Sequence, residues 1–305
     1  PFLPLMTSIM MTMFSSIAGV SLRQAQQHHQ IVRRQLLLQK RWQQSSAREL
    51  LIDRSDHKIT TLTLNRPKAN AMGKVLMEQL SAAIQELEGC TETRCVILTS
   101  SSSRVFSAGA DLKERAGMSL EEAEQTVTGL RNTLQRFSSL AMPTISVVEG
   151  VAVGGGLELA MAADLIVASR GSTFGLPETS LGIIPGAGGT QRLARLIGPA
   201  RALELIATAQ RFTAEEAYAY GILQHLVQPG MGDEKAVEIA LQIAKNAPIA
   251  VRAAKEALKR GMEQVSIDDA LDMERECYAR TLPTKDRLEG LAAFREGRAP
   301  HYTGQ

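Results

Sequence analysis

Between Cys95 and Val227, four short apolar runs, C-V-I-L-T-S, T-I-S-V-V-E, D-L-I-V-A and G-I-L-Q-H-L-V, alternate with helical segments. No other feature narrows the possible folds as far. Runs of this length suit a buried strand and are short for a buried helix. Strands that are apolar throughout are covered on both faces, which is the condition of parallel strands. Parallel neighbours need crossover connections, usually helices, so the alternation predicts an α/β fold built on a parallel sheet.

The flanking segments extend this pattern. Residues 49–64, E-L-L-I-D-R-S-D-H-K-I-T-T-L-T-L, read as two strands around a turn at Ser55, Asp56 and His57, with Leu62 and Leu64 alternating with Thr61 and Thr63. A helix over 74–87 places Leu76, Leu80, Ala83, Ile84 and Leu87 on one stripe. Ser119 with Glu122 forms a capping box that opens a helix to about residue 139, and Met142-Pro143 breaks the chain before the next strand. Pro199 suits a first helical turn, and Thr213 with Glu216 makes a second capping box. From residue 234 onward the chain reads as helices over 234–246, 249–260, 268–280 and 285–295. The predicted organisation is a leader over 1–48, an α/β core over 49–246 and a helical region over 247–305.

The leader stands out by composition. It holds Arg23, Arg33, Arg34, Lys40, Arg41 and Arg48, many Ser, Gln, Leu and Met, and no acidic residue. That is the make-up of an organellar transit segment, with a basic tail for anionic surfaces as the plainer alternative. Setting it aside leaves 28 basic against 32 acidic residues, a net charge of −4. The remainder therefore lacks the overall positive field of a nucleic-acid binder. The apolar stretch 2–20 is interrupted by Thr7, Ser8, Thr12, Ser15 and Ser16, so it makes a poor membrane span and no membrane association is expected. Cys90, Cys95 and Cys277 are odd in number and lack metal-ligand spacing, which fits a reduced compartment without a disulfide framework.

Chemistry is concentrated in the glycine-rich turns. Glu158 in G-G-G-L-E and Glu178 in L-P-E-T-S-L-G-I-I-P-G-A-G-G lie 20 positions apart, each next to a turn. Two carboxylates facing one cavity can handle a proton and a water together. Each also has a plain reading: Glu158 as a first-turn acid favoured by the helix dipole, Glu178 as a helix-start acid after Pro177. The turn F-S-A-G-A-D-L-K-E-R and the turn at Gly154–Gly156 both place small residues where backbone meets something closely. The N–H groups of Ala110 and Gly155, the latter at a helix N-terminus, are suited to a developing negative oxygen. Neither turn has Walker spacing, and no G-x-G-x-x-G follows the first strand, so nucleotide-triphosphate and dinucleotide readings drop out. Asp164 reads as a buried hydrogen-bonding group, His225 as a structural histidine and Cys277 as packing. No metal site is expected.

The strings S-A-G-A-D-L-K-E-R, V-A-V-G-G-G-L-E-L-A-M-A-A-D, F-G-L-P-E-T-S-L-G-I-I-P-G-A-G-G-T-Q-R-L and P-T-K-D-R-L-E-G-L-A-A-F occur in this order. Over residues 49–305 they resemble the enoyl-CoA hydratase/isomerase (crotonase) family, and within it the mitochondrial group that includes methylglutaconyl-CoA hydratase. The resemblance implies a spiral of repeated β-β-α units with a helical C-terminal region that drives trimers, paired into hexamers. It implies hydration of 2-enoyl-CoA thioesters in the mitochondrial matrix, in fatty-acid or branched-chain amino-acid breakdown. Coenzyme A enters as part of the substrate, and no metal or redox cofactor is expected. By position, Ala110 and Gly155 would form the oxyanion hole, Glu158 and Glu178 would be the catalytic carboxylates, and Gly186 would help hold the water. Lys68, Ala69, Ala108, Asp111 and Leu112 would line the coenzyme A path. Lys285 and Phe294 would reach a neighbouring subunit's coenzyme A.

The rivals on this scaffold are double-bond isomerisation and thioester hydrolysis; carboxylates on both sides of a water favour hydration. A structural subunit with a decayed site is the third reading. RNA binding, which relatives in that mitochondrial group combine with hydration through a lysine-rich helix, is disfavoured: in 74–87 only Lys74 is basic, and Glu78 and Ala82 stand where that group has lysines. Phosphate neutralisation needs several cations. Protein lacking residues 1–48 is expected to give no mobility shift of AU-rich RNA at physiological salt; tight, salt-sensitive binding would reverse that expectation.

Overall fold

In a computed structural model of the chain, the structure describes residues 48–305; the leader assigned from composition lies outside them apart from Arg48. The first hairpin forms where the alternation placed it. β1 (Leu50–Arg54) pairs antiparallel with β2 (Ile59–Leu64), and Lys58 closes the turn with φ 62° while its N–H donates to Ser55 O. α1 (Lys74–Glu88) then buries Leu76, Leu80, Ala83, Ile84 and Leu87, the predicted stripe.

Three β-β-α steps follow. β3 (Cys95–Ser100) leads to β4 (Val105–Ser107), then to α2 (Leu112–Arg115) and α3 (Leu120–Ser138). β5 (Thr144–Val148) leads to β6 (Val151–Val153) and α4 (Gly155–Ala160). β7 (Leu165–Ser169) leads to β8 (Thr173–Gly175), a 3-10 turn at Pro177–Leu181, then α5 (Gly189–Ile197) and α6 (Pro199–Ala207). β9 (Arg211–Thr213), α7 (Ala214–Ala219) and β10 (His225–Val227) complete the two sheets. One sheet has six strands in the order β1-β2-β3-β5-β7-β10, parallel from β2 onward; the other has four, β4-β6-β8-β9, parallel except at β9. This is the predicted α/β class with its repeated β-β-α units.

The second sheet is not visible in the apolar pattern. Its strands are three residues each, too short to show a period. The predicted strand at 221–227 is likewise shorter than its apolar run, because only His225–Val227 pairs with β7. Both capping boxes form as expected: Ser119 with Glu122 opens α3, and Thr213 with Glu216 opens α7.

A core fills the space between the sheets and helices. Val96 and Leu98 of β3 join Leu80 and Ile84 of α1, Leu134 and Phe137 of α3, and Phe106. Phe174 and Phe212 are cross-strand partners whose rings stack at 5.9 Å between centroids. Each fully buried Leu or Phe of this kind contributes about 1.5–3 kcal/mol. On the six-stranded sheet, α8 (Gly232–Ala244) packs against β3, β5 and β7.

The C-terminal helices are α9 (Pro248–Gly261), α10 (Ile267–Ala279) and α11 (Lys285–Glu296). Cations on α9 bind carbonyls left over at loop and helix ends. Arg252 donates to the carbonyls of Cys90, Thr91 and Thr93, Lys255 to Met142 O at 2.8 Å, and Lys259 to Ser138 O. Asp164 gathers two of them, lying 2.6 Å from Lys255 and 2.8 Å from Lys259, and it also accepts from Thr144 N at 2.8 Å. It is thus the hydrogen-bonding group the sequence suggested. No helix among the described residues is long and apolar enough to cross a membrane. Removing Asp164 leaves Lys255 buried without its counter-charge. Asp164→Ala is therefore expected to cost about 3 kcal/mol in denaturant unfolding; a loss under about 1 kcal/mol would show that the cluster does not anchor α9.

Candidate active site

β4, β6 and β8 are parallel neighbours, so their C-terminal ends lie along one edge of the small sheet. The segments leaving that edge are Ala108–Asp111, Gly154–Glu158 and Leu176–Glu178. Residues far apart in sequence are brought together by strand pairing alone.

The first of these turns is pinned from below. Asn70, fully buried, donates to Ser100 Oγ and Phe106 O and accepts from Arg66 N. Ser107 Oγ donates to Asn70 O and accepts from Gly109 N. Ala108 N donates to Ala69 O, and Met72 N to Gly109 O. Gly109 takes φ 84°, where a side chain would be strained; an added Cβ would also lie 2.8 Å from Val153 O and 3.0 Å from Gly155 N. The turns after β4 and β6 therefore touch through backbone. A Cβ built on Gly155 would strike Met72 Cε and would lie 3.8 Å from both Ala110 N and Glu158 Oε2. Neither Ala110 N–H nor Gly155 N–H has an acceptor among the described residues.

The two glutamates border the same place. Glu158, 2% exposed, accepts at Oε1 from Ala187 N at 2.8 Å and Gly189 N at 2.7 Å. Those donors sit at the N-terminus of α5, where the helix dipole also favours a negative charge. Arg192 on the same helix holds the loop by donating to Ala187 O at 2.8 Å, and its charge adds to the pull on Glu158. Burial outweighs these contacts and pushes the Glu158 carboxyl above its ordinary range, while the two N–H groups and Arg192 pull it back.

Glu178 is placed differently. A Cβ on Gly154 would lie 3.1 Å from its Oε1, and its Oε2 is buried with no hydrogen-bond partner among the described residues. Burial, with the charge of Glu158 nearby, pushes its carboxyl up to about 7. One carboxylate is thus tied down by donors while its neighbour keeps a proton near neutral pH, the division of roles that acid–base chemistry at one centre requires. Because the two interact, the proton belongs to the pair.

Other predicted site residues fall into groups. Lys68 and Ala69 lie in the loop beside Ala108, with Lys68 exposed at φ 76°. Asp111 caps α2 by accepting from the N–H groups of Lys113 and Glu114, and pairs with Arg66 at 2.7 Å; Leu112 next to it is exposed. Gly186 makes no hydrogen bond to Glu158; its carbonyl accepts from Arg131, and the next residue, Ala187, donates to Glu158. Lys285 and Phe294 stand on α11, where Lys285 donates to Gln305 Oε1 and Phe294 is 89% exposed; no hydrogen bond joins them to the turns. Ala187, Gly189 and Arg192 were not singled out in the sequence. Their signal was the G-A-G-G-T-Q-R string itself, a loop rich in free N–H groups leading into a helix.

A cavity of about 720 Å³ lies between α1 and α3, with Met72, Met77, Arg115, Met118 and Leu130 among its lining residues. Met72 joins it to the turns, since Met72 Cε covers Gly155.

The profile of the enoyl-CoA hydratase/isomerase family matches residues 54–305. The chain belongs to that family. Human mitochondrial methylglutaconyl-CoA hydratase is 43% identical over 259 residues, 83% of this chain and 76% of that protein. Human mitochondrial enoyl-CoA hydratase domain-containing protein 2 is 45% identical over 255 residues, 82% of this chain and 87% of that protein. The crystal structure of an enoyl-CoA hydratase from Bacillus anthracis is 45% identical, with a TM-score of 0.82 over 85% of this chain and all of that one. The hydratase/isomerase fold in this chain carries the described turns at the edge of its small sheet.

The raised Glu178 carboxyl has a consequence for stability. Between its ordinary 4.5 and about 7 the folded protein keeps a proton that the unfolded chain has lost, so stability falls as pH rises through that window. Glu178→Gln removes that loss. Its melting temperature is expected to exceed the wild type's at about pH 8, with the gap closing toward about pH 5; a gap independent of pH would mean that Glu178 is not buried as a proton-holding acid.

Proposed function

We propose that the protein adds water across the double bond of 2-enoyl-CoA thioesters. The observation that carries this reading is one cluster holding two partnerless backbone N–H groups, a carboxylate fixed by donors, and a carboxyl that keeps its proton near neutrality. The thioester oxygen would accept from Ala110 N–H and Gly155 N–H, drawing electron density from the conjugated double bond and leaving C3 electrophilic. Each such donor is typically worth about 3 kcal/mol of barrier. The water would lie between the glutamates. Glu158, whose Oε1 is held by Ala187 and Gly189, would orient it through Oε2 and take its proton as oxygen bonds to C3. Glu178 would give its proton to C2 as the enolate collapses, and the pair would regain its charge state when the proton passes from Glu158 to Glu178 through solvent.

Hydration fits better than isomerisation because moving a double bond needs one group to shuttle a proton, whereas water needs a carboxylate on each side. Coenzyme A would lie along Lys68, Ala69, Ala108, Asp111 and Leu112, which border the approach to Ala110. The acid-free basic leader and the mitochondrial relatives support work in the mitochondrial matrix, in fatty-acid or branched-chain amino-acid breakdown. Exposed apolar side chains on and between α9 and α11, among them Leu258, Met262, Val265, Ile267, Leu291 and Phe294, support burial between subunits of a trimer or hexamer.

The test is hydration of crotonyl-CoA, followed by loss of enoyl-thioester absorbance. Glu158→Gln and Glu178→Gln are each expected to lower kcat at least about 100-fold, and the wild type is expected to lose activity above about pH 7 as Glu178 gives up its proton. Near-normal turnover in either variant would remove that glutamate from the mechanism.

A further inference from the structure

Arg192 stands where local forces work against a cation. It is the fourth residue of α5 (Gly189–Ile197), near the positive end of the helix dipole, whereas Arg195 in the last turn has the favourable end. It is half-buried, burial works against its charge, and no carboxylate lies within salt-bridge distance of it among the described residues. Its guanidinium makes hydrogen bonds instead: Nη1 donates to Ala187 O at 2.8 Å and Nη2 to Gln135 Oε1 of α3 at 3.2 Å. Gly188, at φ 110°, leaves room for it, since an added Cβ there would strike Arg192 Nη1. The charges that face Glu158 are those of Arg192 on α5, Arg115 on α2 and Glu178 of the 3-10 turn. On α3, Arg131 is exposed and bonded to Gly186 O. Arg115 favours the ionised form of both glutamates and cannot make them differ; Arg192 acts on Glu158 alone.

We infer that Arg192 is a positioning residue for hydration: its guanidinium braces the loop whose N–H groups hold Glu158 and is the counter-charge for that carboxylate alone. This rests on the hydratase reading, in which Glu158 takes a proton from water while Glu178 gives one to C2. The bracing is direct. Ala187 donates to Glu158 through its N–H and accepts from Arg192 through its carbonyl, so the residue that holds the carboxylate is itself held from its other end. The second arm, on Gln135, ties the guanidinium to a different element and so fixes where its charge stands. A half-buried cation that opposes a helix dipole is unfavourable by itself, and a nearby carboxylate that must stay ionised offsets it.

The test follows kcat and KM for crotonyl-CoA against pH in Arg192→Gln, which keeps an N–H donor and loses the charge, and in Arg192→Lys, which keeps the charge. Without its counter-charge Glu158 binds a proton more readily, and a protonated Glu158 cannot take one from water, so activity is lost from the acid side. The ratio of wild-type to Arg192→Gln kcat is expected to be roughly 10-fold larger at about pH 5 than at about pH 7, the order for one lost opposite charge. KM is expected to hold within about 2-fold, since Arg192 does not line the cavity. Arg192→Lys is expected to recover most of the wild-type pH dependence. A ratio that is the same at every pH, or an Arg192→Lys variant no closer to wild type than Arg192→Gln, would overturn the inference. If Arg192→Gln does not fold, Gln135→Leu, which frees the guanidinium from α3, is read the same way: a loss that deepens toward acid pH sustains the inference, and a uniform loss or none overturns it. Infrared titration separates this from failure of the hydratase reading, with the Glu158 band identified by its absence in Glu158→Gln. Even if crotonyl-CoA is not hydrated, a Glu158 that ionises at higher pH in Arg192→Gln than in the wild type sustains the counter-charge, and an unmoved band overturns it.

Discussion

The site depends on the parallel pairing of three strands of three residues each. β4, β6 and β8 bring few side chains to the core, yet their register sets where three turns emerge. Phe106, Phe174 and Phe212 secure this small sheet against the main core. Hydrogen bonds from Ser107, Asn70 and Met72 then fix the first turn against the loop that precedes α1. Because parallel strands all point one way, each turn leaves at the same edge. Any disturbance of that pairing would move a free backbone N–H group and a glutamate together, which is why the rigid scaffold, more than loop adaptation, sets the geometry.

The electrostatics follow from unequal treatment of two like groups. Both glutamates lie where burial disfavours charge. Glu158 receives two short N–H bonds, the end of a helix dipole and the field of Arg192, so its charged form recovers much of what burial removes. Glu178 has an oxygen with no partner among the described residues and feels the charge of its neighbour, so its carboxyl is pushed up to about 7. The asymmetry originates in α5: its first turn points N–H groups at one carboxylate only. Arg192 reinforces this through covalent connection as well as charge, because it sits on that helix and grips Ala187 O.

Much of this was legible in the sequence, and the unread parts share a cause. The hairpin at residues 50–64, the stripe of α1 and the two capping boxes follow local rules, so periodicity and side-chain chemistry sufficed. The second sheet is tertiary: V-F-S, V-A-V and T-F-G become strands only because they pair with one another. At the site, Glu158, Glu178, Ala110 and Gly155 could be named from the turns around them. The donors Ala187 and Gly189 were not, since the G-A-G-G-T-Q-R string marks a loop rich in N–H groups without saying which of them meets a carboxylate. The charge of Arg115 was visible in A-D-L-K-E-R, but only the fold separates it from Lys113, by turning one toward the cavity and leaving the other in water.

The glycines explain why backbone carries so much of the proposed chemistry. Where the turns after β4 and β6 meet, an added Cβ at Gly156 would run into Ser107 O, at Gly109 into Val153 O, and at Gly155 into Met72 Cε. At Gly189, a Cβ would lie 3.0 Å from Glu158 Oε1. Side chains are excluded because the strands end so close together, and that closeness lets main-chain N–H groups face one small volume. Such donors bring no rotamer entropy to be lost when a charge develops beside them. The same crowding removes water from both glutamates, so the contact that demands glycine also raises the carboxyl of Glu178. Packing and proton affinity are therefore two results of one backbone approach.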